Sequence, residues 1–238
     1  MKSHLAIFLL FLSALPAISQ HKTTRAEAVQ HYCRAVEVTS GQEFERMASI
    51  RGRLAPVLAR VPGQRIDLAV VDSTVLNAWA NNLNPRLALI CVPTAFVRLM
   101  GDSEGEMAFM YAHETGHALD NACKSDSGRA QIASQTLSGE LSSLLGGSGR
   151  SALAEQRACE SRADEIGFRI FTAAGYNPFD AAGGFGRLEM LSGDTSTGLL
   201  GRLLALNNDH PITPDRIRHM RALLIQAVQR QRNALPQR

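Results

Sequence analysis

"MAFMYAHETGHALDNACKSD", residues 107–126, sets His113 and His117 four apart, with Glu114 directly after the first. Just upstream, Ser103 is followed three residues later by Glu106, a capping-box signature that predicts a helix start there. On a helix, residues i and i+4 share one face, a turn apart. Both imidazoles can then aim a nitrogen at one ion, at the ~2.0–2.1 Å that zinc requires. Glu114 is rotated by about 100° from His113, beside such an ion and able to take a proton from water there. Zinc with an open fourth position lowers the pKa of its water to roughly 7 and so creates a nucleophile at neutral pH. The competing reading is two histidines on a shared face with no metal. Gly116 stands where a helix former is expected, and it leaves room for another backbone to approach.

A catalytic zinc needs a third protein ligand. In the elongated form of the motif that ligand lies six residues after the second histidine. Here Cys123 occupies that register, and Asp120 replaces the glycine needed to turn the chain; both count against it. The stronger candidate is "EQRACESRADEIG", residues 155–167, where Glu160 and Asp164 are again i, i+4 on one helical face. One carboxylate can bind the ion while the other accepts the N–H of a ligating imidazole, fixing its tautomer. In isolation the same residues read as a solvated acidic face paired with Arg157 and Arg162.

Outward from these two stretches, the chain reads as one mostly helical domain with a small sheet. Residues 23–60 carry helical spacing, punctuated by Gly41 and Pro62-Gly63. Ile66–Val71 and Leu87–Val92 are β-rich runs, with an extended "VLNAWA" and a turn over Asn81–Pro85 between them, which predicts about three strands. Glycine and serine thicken from Ser138 to Ser151, read as an excursion between helices. Residues 152–174, Phe179–Leu191 and a long segment after Thr213-Pro214 are predicted helices.

The 238 residues suffice for a real core, and 45% hydrophobic with 20% charged residues is ordinary for a globular protein. A formal charge of +3, without basic clusters interleaved with aromatics, gives no reason to expect a nucleic-acid partner. Residues 1–19 differ from the rest. Lys2, the apolar or small run Leu5–Leu15 and Ala17-Ile18-Ser19 predict a secretory signal peptide cut after Ser19, leaving a single domain over 20–238. The run is far short of the ~20 residues of a spanning helix, so an exported protein without a membrane span is expected, periplasmic or extracellular. Cys33, Cys91, Cys123 and Cys159 permit two disulfides in three pairings. Cys123 follows the histidine pair and Cys159 adjoins Glu160, which favours Cys123–Cys159 with Cys33–Cys91; buried free thiols are the alternative.

"AHETGHALD", "ACESRADEIG", "AGYNP" and "DHPITPDRI", in that order, resemble the HtpX-type zinc metallopeptidases, a gluzincin family that includes the CAAX-prenyl proteases. The resemblance runs from about Val71 to Met220. It implies an α+β, zincin-like domain with a small sheet beside the zinc helix, and one Zn2+ per chain. It further implies His113, His117 and Glu160 as ligands, Glu114 as general base and Asp164 as the partner behind a ligand. "LNAWA" matches the family's segment beside the cleft, which implies Asn77, Ala78 and Trp79 near substrate. "NNLNP" replaces the glycine-rich turn that usually follows, the excursion before the second helix is short, and the absent spans suggest a small exported branch.

His210 can donate to the oxyanion of a tetrahedral intermediate, swing onto the open zinc position, or serve a loop locally. Arg216 is suited to neutralise Glu160 and Asp164, or else is a solvated helix arginine. His21, His31 and His219 show no partner pattern and are expected at the surface. These residues support an exported zinc metalloendopeptidase acting on unfolded polypeptide held along an edge strand near Asn77–Trp79. The competing class is a latent zinc-holding chaperone or adaptor with little turnover.

Overall fold

Seven helices and four strands are present among the residues that the computed structural model describes, 24–120, 123, 149–192 and 214–234. In order they are α1 Arg25–Cys33, β1 Val36–Glu37, α2 Gln42–Leu58, β2 Arg65–Asp72, β3 Trp79–Asn84, β4 Leu87–Pro93, α3 Thr94–Leu99, α4 Glu104–Leu119, α5 Gly149–Ala173, α6 Pro178–Ser192 and α7 Pro214–Ala234. The expected signal segment, His21, His210 and residues 138–148 of the glycine-serine stretch lie outside the described residues. The α+β, mostly helical class expected from the sequence is the one observed.

The sheet runs β1-β2-β4-β3. β2 and β4 are parallel neighbours, with Asp67 opposite Leu89, and both are flanked by antiparallel partners. Their near-continuous apolar runs follow from burial on both faces. Leu68, Val70, Ala88, Ile90 and Val92 enter the main core, while Ala69, Val71, Leu89 and Cys91 pack with Val29 and Cys33 of α1. The Cys33–Cys91 disulfide staples α1 to β4 on that second face.

The helical spacing over 23–60 resolves into α1 and α2, punctuated at Gly41, which takes φ +96°, and the chain between them lays β1 beside β2. One expectation is corrected. The Asn81–Pro85 stretch is strand as far as Asn84, and the turn is confined to Pro85-Arg86. Its asparagines bond to flanking segments: Asn81 Nδ2 donates to Tyr32 O of α1 at 3.3 Å, and Gln64 Nε2, just before β2, donates to Asn82 Oδ1 at 2.9 Å. Asn84 Oδ1 accepts from Arg86 N at 2.8 Å and closes the turn, with a register shift between Asn82 and Asn84.

α4 is the central element. Ser103 Oγ accepts from Glu106 N at 3.3 Å, the cap expected from the sequence. From Met107 to Ala118 every residue is buried, as in a helix enclosed on all sides. It packs against β3 and β4 on one side and against α5 and α6 on the others. No helix among the described residues is long and apolar enough to cross a membrane.

Candidate metal centre

Burying a helix that carries His113, Glu114 and His117 is costly unless those groups find partners. The first device that supplies partners is a pair of glycines. A Cβ on Gly116 would lie 2.9 Å from Ala163 Cα, and one on Gly167 would lie 2.8 Å from both N and Cα of His113. Neither position tolerates a side chain, so α5 crosses α4 at backbone contact. This close crossing carries the Glu160–Asp164 face of α5 onto the histidine face of α4.

At the crossing, His113 Nε2 and His117 Nε2 are 3.1 Å apart. Glu160 Oε2 lies 3.4 Å from the first, and Oε1 lies 3.3 Å from the second. A tetrahedral ion with bonds of ~2.0–2.1 Å separates its ligands by about 3.3–3.4 Å. Two imidazole nitrogens and a carboxylate at these separations therefore fit a zinc ion and could hold one. A fourth position is not supplied by the described residues of this group.

Behind the donors is a second layer of charge. Asp164 Oδ1 lies 2.8 Å from His113 Nδ1, at hydrogen-bond distance; a proton on Nδ1 leaves the Nε2 lone pair toward the donor group. Arg216 is buried and donates to Asp164 through Nε at 2.8 Å and Nη2 at 2.7 Å, while its Nη1 stands 3.1 Å from Glu160 Oε2. One guanidinium thus bridges both carboxylates of the α5 face.

The electrostatics follow from this layering. Burial opposes charge on His113, but the hydrogen bonds and charges of Asp164 and Glu160 outweigh it and push its pKa up to about 9. Burial likewise opposes charge on Asp164, and Arg216, with help from His113, holds its carboxyl below the usual range. Against its own burial, Arg216 is kept charged by Glu160, Asp164 and, more weakly, Glu114. Glu114 is wholly buried on α4, directly after His113 in sequence.

The segment expected near substrate behaves differently. Asn77 is half-buried, Ala78 is fully buried in the main core, and Trp79 packs with the α1 cluster on the opposite face of the sheet. The period of two along β3 sends Trp79 away from the face that Ala78 and Ala80 share with α4. The side chains of Ala78 and Trp79 therefore point to opposite faces of the sheet, and neither belongs to the donor group. Cys123 is engaged in a disulfide with Cys159, and so is closed as a ligand. His31 is exposed as expected, but His219 is half-buried, and its Nε2 has no hydrogen-bond partner among the described residues.

Gly167 and the Asp120–Arg162 pair escaped sequence reading. A signal existed: Gly167 follows Glu160 and Asp164 at i+7 and i+3, on the same helical face.

The model of peptidase family M48 matches residues 41–224, from α2 into α7, and that span contains every residue of the centre. The chain belongs to peptidase family M48. As an M48 member it is a metallopeptidase, and the three converging donors are where such a chain could hold its ion. No curated protein matches this M48 chain.

Proposed function

We propose that the chain is an exported, zinc-dependent endopeptidase that hydrolyses unfolded polypeptide. The observation that carries the proposal is the set of donor separations between His113, His117 and Glu160, 3.1, 3.3 and 3.4 Å, in a chain of a metallopeptidase family. His113, His117 and Glu160 would hold the ion. When bound, zinc supplies Lewis acidity that activates water near neutral pH and polarises the scissile carbonyl.

The other roles fall to side chains. Glu114 takes the proton of the attacking water on its carboxylate and returns it to the leaving nitrogen. Asp164 fixes the Nδ1–H tautomer of His113, and Arg216 keeps Asp164 ionised and holds Glu160 in place. His210 is the proposed donor to the developing oxyanion. An extended substrate is held by its backbone along Asn77–Trp79, the approach to edge strand β3; backbone pairing makes side-chain selectivity loose. The signal-like residues 1–19 and the two disulfides support an oxidising, exported setting.

The test is proteolysis of unfolded casein by the zinc-loaded chain, by Glu114→Gln, and by chelated chain before and after zinc is restored. Activity lost in the second and third arms and recovered with zinc is the expected result. Zinc bound but equal inactivity in all arms would replace the peptidase with a latent metal-holding module.

A further inference from the structure

At the far end of the α4–α5 crossing, beyond the donors, the two elements are joined by a cystine. α4 ends at Leu119, Asp120 is extended, and Cys123 N donates back to Asp120 O at 3.1 Å. Cys123 is bonded to Cys159, the residue immediately before Glu160. Along α5, Glu160 therefore sits between the cystine and the glycine crossing at Ala163 and Gly167. The crossing fixes one side of Glu160, and the cystine fixes the other.

Among the described residues, this cystine has charged neighbours of a kind the other lacks. Arg162 Nη2 lies 2.8 Å from Cys123 Sγ and 3.3 Å from Cys159 Sγ, and its Nε donates to Asp120 Oδ2 at 2.7 Å; that same carboxylate oxygen lies 3.0 Å from Cys123 Sγ, so negative charge from an opened bond is better placed on Cys159. The Arg162 side chain is 41% exposed and Cys123 is half-exposed, so a small reagent can reach the bond. Cys33 and Cys91 are both buried, and among the described residues the polar side chain beside them is the neutral amide of Asn81, 3.4 Å from Cys91 Sγ. A guanidinium beside sulfur stabilises the thiolate that leaves in exchange.

We propose that Cys123–Cys159 is a thiol–disulfide exchange site for dithiol reductants, and that its state sets how firmly His113, His117 and Glu160 retain their ion. In the exchange, a thiolate of the dithiol attacks the accessible Cys123 Sγ. The S–S bond breaks, and its electron pair leaves on Cys159 Sγ beside Arg162. The second sulfur of the dithiol then attacks the mixed disulfide and releases Cys123. Two electrons and two protons pass from the dithiol to the cystine, and the dithiol ends as a cyclic disulfide. With the tether open, the Arg162–Asp120 ion pair is the contact that the described residues show at that end, and Glu160 loses one of its two fixed sides.

This inference rests on the metal reading of the three donors proposed above. The test uses the full oxidised chain loaded with zinc and poised in graded mixtures of reduced and oxidised dithiothreitol. Zinc release to a chromophoric chelator is followed while alkylation and peptide mass mapping record which cystine has opened. Cys123–Cys159 is expected to open first, with zinc release about 10-fold faster or more once it does, and with helical circular dichroism retained. Arg162→Met should shift the opening to more reducing mixtures. Cys123→Ser/Cys159→Ser should release zinc at the fast rate with no reductant; if that variant does not fold, the titration of the unaltered chain decides alone. Zinc bound, Cys123–Cys159 mapped open and release unchanged would overturn this inference only, as would prior opening of Cys33–Cys91. A chain that binds no zinc in either redox state overturns the metal reading, and this inference with it.

Discussion

Gly167 of α5 rests on the backbone of His113 in α4, so close that the smallest added side chain would lie 2.8 Å from His113 Cα. One ligand of the candidate centre is thus positioned by the absence of an atom on a neighbouring helix. The same contact lets Asp164, one turn earlier, reach Nδ1 of that ligand.

The first prediction tests that contact by its sign. Gly→Ala in an open helical site stabilises by roughly 0.5–1 kcal/mol, and Gly52 on the exposed face of α2 is such a site, with nothing within 4 Å. Gly167→Ala should instead destabilise by about 1–3 kcal/mol, because α4 and α5 must part to admit the methyl group. Urea denaturation of both variants measures it; the same sign for both would mean that the crossing is looser than described.

Glu160→Gln keeps the shape of the side chain and removes its charge. Zinc affinity should fall about 100-fold or more, beyond the ~10–100-fold usual for a group behind a ligand. Competition with a chelator of known affinity reports this, and an unchanged constant would move the third ligand elsewhere.

Arg216→Met leaves Asp164 and Glu160 buried beside each other without their shared cation. Removing one partner of a buried ion pair costs about 3–5 kcal/mol. Arg216→Lys should restore only part of that, since an ammonium cannot make the two-pronged contact that Nε and Nη2 make with Asp164. Denaturation in the presence of chelator separates this effect from metal loss.

The last prediction concerns pH. In stripped protein the pKa of His113 is about 9, raised from 6.5. Its contribution to stability is complete below 6.5 and is lost as pH rises through about 9. Ion binding needs that imidazole neutral at Nε2, so loading strengthens over the same interval. The difference in Tm between zinc-loaded and stripped protein should therefore widen from pH 6.5 to pH 9, as read by calorimetry on matched samples. A constant or narrowing difference would contradict the placement of Asp164 and Glu160 around His113.

Much of the centre was legible in the linear chain because helical periodicity is a short-range rule. His113 and His117 are four apart, as are Glu160 and Asp164, and local geometry alone puts each pair on one face. Strand alternation is equally local, and it explains why Trp79 faces α1 while Ala78 and Ala80 face α4. Which way that alternation falls is not local, since a one-residue change of register exchanges the two faces.

Spacing along the chain dictated which residues can act in pairs, and it stops there. Whether two pairs on different helices meet depends on how closely the helices cross and at what level. That depended on Gly116 and Gly167 fitting Ala163 and His113, and on a cystine between positions 123 and 159. Arg216, far along the chain on α7, became the cation shared by Glu160 and Asp164 only through packing. Backbone contact between segments and the sharing of buried charge are set by distance in space, and periodicity carries no information about either.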